Sequence, residues 1–170
     1  GFIQIYSNSF AFAALKSDGS IQAWGNTTFG GSGAPTGTGF TQIFSNERAF
    51  AALKVDGSIQ AWGHSDLGGD KAPEGEFTQI YSNYAAFAAL KEDGSIEAWG
   101  HLDYGGAAAG KSLGAPTGTG FTQIYSTGSA FAALKEHGSI EVWGDPKYGG
   151  DGAPFGIGFT QIYSTITAFA

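Results

Sequence analysis

The sequence predicts an all-β tandem-repeat protein on three observations: a core motif that occurs four times, Gly-containing turns within it, and strands apolar on both faces. The segment Ala11 to Gly25 reads AFAALKSDGSIQAWG. It returns as AFAALKVDGSIQAWG from Ala49, AFAALKEDGSIEAWG from Ala86 and AFAALKEHGSIEVWG from Ala130. Trp24, Trp62, Trp99 and Trp143 fill one slot at separations of 38, 37 and 44 residues, and an Ala/Gly-rich stretch near 107–114 accounts for the longest and is expected to be a loop. A second block precedes each core: GFIQIYS at Gly1, GFTQIFS at Gly39, EFTQIYS at Glu76, GFTQIYS at Gly120 and GFTQIYS at Gly158. The fifth copy stops within the motif at Ala168 to Ala170, as expected of a trimmed chain or of a last strand that completes another unit. The chain thus divides into repeats 1–38, 39–75, 76–119 and 120–157 and a partial repeat 158–170, one repeat domain over 1–170.

Each repeat supplies three strands. FTQIYS, AFAALK and SIxAWG are short runs of β-branched, aromatic and small apolar residues bounded by Gly, Ser, Asn or Asp. Asp18-Gly19, Asp56-Gly57 and Asp93-Gly94 fall between the second and third strands, the signal of a two-residue hairpin turn with both central residues at positive φ. His137-Gly138 takes that place in the fourth copy, and His tolerates the left-handed region better than most residues. Such a turn predicts Leu15 opposite Gln22 and Ala13 opposite Trp24, with Phe12, Ala14, Ile21 and Ala23 on the other face. A sheet apolar on both faces is sandwiched between neighbours, and the alanines allow close approach. The expected core is Trp24, Trp62, Trp99 and Trp143 with Phe12, Phe50, Phe87 and Phe131, because one identical residue per repeat marks packing. Small stacked sheets at this period mean β-propeller blades, about four with a partial fifth, or an open β-solenoid-like array.

The succession Ala-Leu-Lys, x-Asp-Gly-Ser-Ile, Ala-Trp-Gly resembles the repeat of the regulator-of-chromosome-condensation family. In period it is most similar to the bacterial propeller-type β-lactamase inhibitor proteins. The resemblance covers nearly the whole chain and implies a propeller, on which nucleotide exchange, enzyme inhibition and adhesion all occur. Family members often continue after Trp-Gly with Gly-Gln-Leu-Gly, whereas this chain has Gly30-Gly31, Gly68-Gly69, Gly105-Gly106 and Gly149-Gly150. The family's rings commonly hold about seven blades. A compact four-bladed ring, a ring completed by a second chain and an open head-to-tail array are therefore all open at the level of sequence.

With 170 residues, 42% hydrophobic and 15% aromatic, the chain can bury a core. Net charge is −7 and pI about 4.7, which disfavours nucleic acid and anionic membranes as partners. The lysines form no basic stripe: Lys16, Lys54, Lys91 and Lys135 recur one per repeat, each followed within two residues by an acid, by His137 or by both. Without cysteine there is neither a disulfide nor a thiolate metal site. No apolar run reaches the length of a membrane span, so no membrane insertion is expected. A chain opening at Gly1 is expected to be processed or a window of a longer one.

Function is expected in the loop after each Trp-Gly, which varies while the strands stay constant. The candidate binding residues are His64, Asp66, His101, Asp103, Tyr104, Asp145 and Tyr148. His64-Ser65-Asp66 and His101-Leu102-Asp103 offer metal-ligand chemistry, yet one pair per loop with no third ligand reads as a solvated turn, so neither metal nor cofactor is expected. Ser20, Ser58, Ser95 and Ser139 belong to turns, and Glu97 and Glu141 lie on strands, so no catalytic constellation is expected. Asn26-Thr27-Thr28 is a glycosylation acceptor sequence, and the Ala-Pro-Thr-Gly-Thr blocks at Ala34 and Ala115 read as linkers. The reading is a non-catalytic extracellular or cell-surface scaffold or recognition module. Its partners are a protein or identical subunits, with glycan as a further class, and its alternatives are an enzyme inhibitor or a carbohydrate-binding propeller. Because both ends carry the same strands, closing the chain on itself would leave a redundant pair, and the end blades are expected to be covered by further repeats or by a neighbour packing head to tail.

Overall fold

The computed structural model of the chain describes residues 1–106 and 114–170. The loop expected near 107–114 lies, apart from Gly114, outside the described residues. Four three-stranded antiparallel sheets follow one another. Blade 1 holds β1 (Phe2–Ser7), β2 (Ala11–Lys16) and β3 (Ile21–Gly25), and blade 2 holds β4 (Phe40–Ser45), β5 (Ala49–Lys54) and β6 (Ile59–Gly63). Blade 3 holds β7 (Gln79–Ser82), β8 (Ala86–Leu90) and β9 (Ile96–Gly100), and blade 4 holds β10 (Phe121–Ser126), β11 (Ala130–Lys135) and β12 (Ile140–Gly144). Among the described residues the helical structure is 3-10 turns of three residues, Thr27–Phe29, Ser65–Leu67, Leu102–Tyr104 and Pro146–Tyr148. The blades stack face to face in propeller fashion and the ring is not closed. The first strands of blades 1 to 4 neighbour one another, and a ladder of hydroxyls links them: Ser45 Oγ donates to Ser7 O, Ser82 Oγ to Ser45 O and Ser126 Oγ to Ser82 O, each at 2.9 Å.

The hairpin register corrects the sequence expectation by one residue. Phe12 faces Trp24, Ala13 faces Ala23 and Leu15 faces Ile21. The outermost pairing is Lys16 with Ser20, whose carbonyl accepts from the Lys16 amide at 2.9 Å, so three residues rather than two form the loop. Only Gly19, Gly57, Gly94 and Gly138 take positive φ there, and the preceding Asp or His does not. This is the three-residue loop closed by a left-handed glycine, which Asp-Gly serves as well as it serves the two-residue turn. The His137 substitution therefore carries no left-handed strain.

The corrected register sorts the side chains into two complementary faces. On one lie Ala11, Ala13, Leu15 and Ile21, and against them pack Phe40, Ile43, Phe50, Ala52 and Trp62 of blade 2. The same arrangement recurs between blades 2 and 3 and between blades 3 and 4. Within each blade the Phe and Trp rings stack, at 5.1 Å in blades 2 and 3 and 5.2 Å in blade 4. Each buried indole N–H then reaches a carbonyl of the preceding blade: Trp62 to Gly30, Trp99 to Gly68 and Trp143 to Gly105, at 3.0–3.1 Å. Burying the indole thus leaves no donor unpaired.

Two expected core residues depart from this pattern. Phe12 is 46% exposed and Trp24 42%, because no blade covers that face of blade 1 in this chain. Their equivalents Phe50, Phe87, Phe131, Trp62, Trp99 and Trp143 are buried. Beyond blade 4, the partial fifth copy lies where the first two strands of another blade would stand. Phe159 N donates to Gly138 O at 3.1 Å, as Phe40 N does to Gly19 O at 3.0 Å, and Ile162 is buried against Ala132 and Leu134. Only one bridge, Ser164 with Phe169, pairs its two halves.

Candidate recognition face

Chain direction places two variable loops at one end of every blade. In each blade the first strand runs out to the loop that leads into the second strand, and the third strand returns to the same end, where the 3-10 turn begins. A buried side chain ties the two loops together. Asn46 Oδ1 accepts from the amides of Arg48 and Ala49, and its Nδ2 donates to Leu67 O at 2.6 Å. Asn8 and Asn83 do the same in blades 1 and 3, and in blade 4 Thr127 Oγ1 bonds to Tyr148 O and the Ala130 amide. A polar group at this buried position is held because every bond it needs is met.

At the first position of the turn, Asn26 accepts from the Thr28 amide and Asp145 from the Lys147 amide, which is ordinary N-capping. The carboxamide of the glycosylation-type sequence is thereby engaged in the turn, with Asn26 exposed. His64 and His101 fill the same position without capping, and the Nδ1 of each is buried with no partner. Asp66 and Asp103 are exposed at the tips of their turns, and among the described residues no three metal-binding side chains converge.

From these loops a continuous cluster forms across blades 1 to 3. The Arg48 guanidinium lies 5.6 Å from the Phe10 ring and 5.2 Å from the Phe29 ring, within cation–π range of both. Phe10 and Phe29 approach to 4.7 Å, and Phe29 stacks on His64 at 5.8 Å. One residue along, Glu47 Oε2 is 3.3 Å from Arg48 Nε, and Oε1 accepts a 2.5 Å hydrogen bond from Tyr84 OH. That bond to Glu47 raises the Tyr84 hydroxyl above its ordinary value, because ionising it would set two negative charges together. Tyr84 stacks on Tyr104 at 6.1 Å, and His101 meets Tyr104 edge-on at 5.2 Å.

The structure therefore brings His64, His101 and Tyr104 of the sequence candidates into one cluster. Asp66 and Asp103 lie beside it. Asp145 and Tyr148 sit on blade 4, and among the described residues no ring or ion contact joins them to it. Sequence reasoning missed Phe10, Glu47, Arg48 and Tyr84, and did not place Phe29 among the binding residues. The signal was present: Ser9-Phe10, Glu47-Arg48, Tyr84-Ala85 and Gly128-Ser129 differ between copies as much as the post-Trp loops do. Elsewhere, Ser139 Oγ lies 3.0 Å from His137 Nε2, in the position where Ser20 and Ser58 bond to Asp18 and Asp56, so this Ser–His contact is a turn cap.

No family model and no curated protein matches the chain. Solved structures do. The CRINKLY WD40 ectodomain of the Arabidopsis thaliana receptor kinase ACR4 is 17% identical with a TM-score of 0.61, over 96% of this chain and 56% of that one. Yeast RCC1 (Prp20) bound to Kap60 is 16% identical with a TM-score of 0.64, over 96% and 52%. Prp20p from Saccharomyces cerevisiae, whose binding to Gsp1p and histones was studied, is 14% identical with a TM-score of 0.60, over 86% and 45%. The chain spans about half the length of these structures. At these identities the likeness shows the fold: propeller blades of the RCC1-like type, as the repeat motif implied.

Proposed function

We propose that the chain is a non-catalytic recognition scaffold that binds a protein partner through the loop face centred on Arg48 and Tyr84. The observation that carries this reading is convergence: the residues that differ between copies gather at one end of the blades and build one cluster of aromatic rings, one arginine and one glutamate. Tyr and Arg are the residues that dominate protein interfaces, and an Arg already held against two rings loses little freedom on binding. Propellers of similar fold bind proteins, as the yeast RCC1 complex with Kap60 illustrates. The reading keeps the extracellular or cell-surface setting expected from the sequence, which fractionation of the source organism checks.

The test is capture of partners from the source extract by the immobilised chain, with two double variants alongside. Arg48→Ala with Tyr84→Ala is expected to lose the captured protein. Lys54→Ala with Lys91→Ala, at the opposite end, is expected to keep it. The reverse pattern rejects the assignment. A second reading, inhibition of an enzyme such as a β-lactamase, is favoured by the same pairing of Tyr84 and Tyr104 with an acidic neighbour. Titrating a β-lactamase with the chain separates it from the first, and a glycan array tests the carbohydrate alternative.

A further inference from the structure

Because the blades pack alike, each interface offers the same places to different side chains. The backbone fixes the correspondence. Ser9 N donates to Glu47 O between blades 1 and 2 as Tyr84 N does to Gly128 O between blades 3 and 4. Arg48 N donates to Asn46 Oδ1 and Arg48 O accepts from His64 N, while Ser129 N donates to Thr127 Oγ1 and Ser129 O accepts from Asp145 N. Ser129 therefore stands in blade 4 where Arg48 stands in blade 2, and Asp145 stands where His64 does. Phe29 and Tyr104 likewise close the turns of blades 1 and 3, each carbonyl accepting from the Asn of its own blade. Between blades 1 and 2 the place holds a cation on a ring, with the Arg48 guanidinium 5.2 Å from Phe29. Between blades 2 and 3 it holds Leu67 and Ala85, with neither ring nor charge. Between blades 3 and 4 it holds the ring of Tyr104, while Ser129 ends one atom beyond Cβ and brings no charge.

The surroundings of Tyr104 suit a cation. Tyr84, 51% exposed, stacks on Tyr104 at 6.1 Å, so two electron-rich rings lie together. Among the described residues no lysine or arginine lies over either of them. Asp145 holds the position from which His64 stacks on Phe29, and so brings a carboxylate to the same side. One of its oxygens accepts from the Lys147 amide, and the other has no hydrogen bond among the described residues. Asp103 adds a second exposed carboxylate at its turn tip, against the single ammonium of Lys147. The chain as a whole carries −7, which draws a basic partner at long range. Resting on the loop-face reading, we propose that the protein partner presents a basic segment, one arginine of which lies on Tyr84 and Tyr104 beside Asp145. That arginine takes over Tyr104 the place that Arg48 takes over Phe29. A guanidinium fits better than an ammonium, because its plane stacks on a ring while its edge donates to a carboxylate.

Amide chemical shifts of the isotope-labelled chain, titrated with a tetra-arginine peptide and separately with a tetra-glutamate peptide, test the site. Shifts are expected at residues 84–85, 101–104, 128–129 and 145–148 with the first peptide and not with the second. Ser129→Arg supplies the guanidinium from within the chain, as Arg48 does in blade 2, and is expected to abolish those shifts. Asp145→Asn keeps the turn cap, as Asn26 does in blade 1, but removes the charge, and is expected to weaken peptide binding about two- to fivefold. Circular dichroism checks the fold of both variants. Shifts that gather at the hairpin turns instead, or that neither variant changes, overturn the proposal. Capture of the partner from the source extract separates this site from the face it belongs to, and Ser129→Arg is expected to lose the captured protein. Capture lost with Arg48→Ala and Tyr84→Ala but kept in Ser129→Arg overturns the arginine site and leaves the loop face standing; capture kept in both rejects the loop face as well.

Discussion

Asn46 shows how much of the proposed recognition face hangs on one side chain. Its carboxamide bonds to three backbone groups and sits almost wholly out of solvent, so removing it leaves two amides and a carbonyl without that partner. Asn46→Ala is expected to cost about 1–3 kcal/mol in urea unfolding. Asn46→Thr should cost less, because Thr127 performs the same task in blade 4. Charge at the opposite end gives a second test. Hydrogen bonds from Ser20 and Ser58 hold the Asp18 and Asp56 carboxyls below their ordinary value, and the Ser95 amide holds Asp93 there. A carboxyl lowered in the fold contributes stability present above its unfolded value of 3.8 and lost as pH falls through the lower folded one. Replacing the three with Asn is therefore expected to flatten the acid limb of stability against pH, measured by thermal unfolding below about pH 4. An unchanged limb would show that these turns carry no linked stability.

At the scale of the element, strand positions were legible because β-branched and aromatic runs end at Gly, Ser, Asn or Asp. The register was not. Asp18-Gly19 fits both a two-residue and a three-residue loop, and the run AFAALK is so uniformly apolar that a slip of one residue leaves no polar side chain to object. The structure decides through the glycine alone. A Cβ at Gly94 would lie 2.6 Å from the Phe121 backbone at a φ of +76°, so Gly94→Ala is expected to cost about 1–3 kcal/mol. His137→Ala, next to the corresponding Gly138, should stay within about 0.5 kcal/mol in the same denaturation measurement. The first strand holds a further contrast. Thr41 and Thr122 at a bulge, and Thr78 just before β7, each bond to a Leu carbonyl at 3.1 Å, while blade 1 has an exposed Ile3 in that place. Ile3→Thr restores the bond and is expected to raise stability by about 1 kcal/mol.

Across the whole molecule, the repeat alone foretold stacked blades, since a three-stranded sheet apolar on both faces has nowhere else to put them. The proposed recognition face draws on both loop sets, only one of which the sequence singled out. His64, His101 and Tyr104 lie in the loops after Trp-Gly that the sequence singled out, but Arg48 lies in the β4–β5 loop and Tyr84 in the β7–β8 loop, where only two residues vary, and adjacency of the two sets exists only in three dimensions. Exposure of Trp24 was likewise hidden, because its sequence surroundings match those of its buried equivalents. The central claim is that the diverging loops form one binding surface. Amide hydrogen exchange of the chain, alone and saturated with its captured partner, tests it most directly. The account predicts new protection at residues 8–10, 26–29, 46–48, 64–67, 83–85 and 101–104, with the hairpin turns at 17–20, 55–58 and 92–95 unchanged; protection confined to those turns would contradict it.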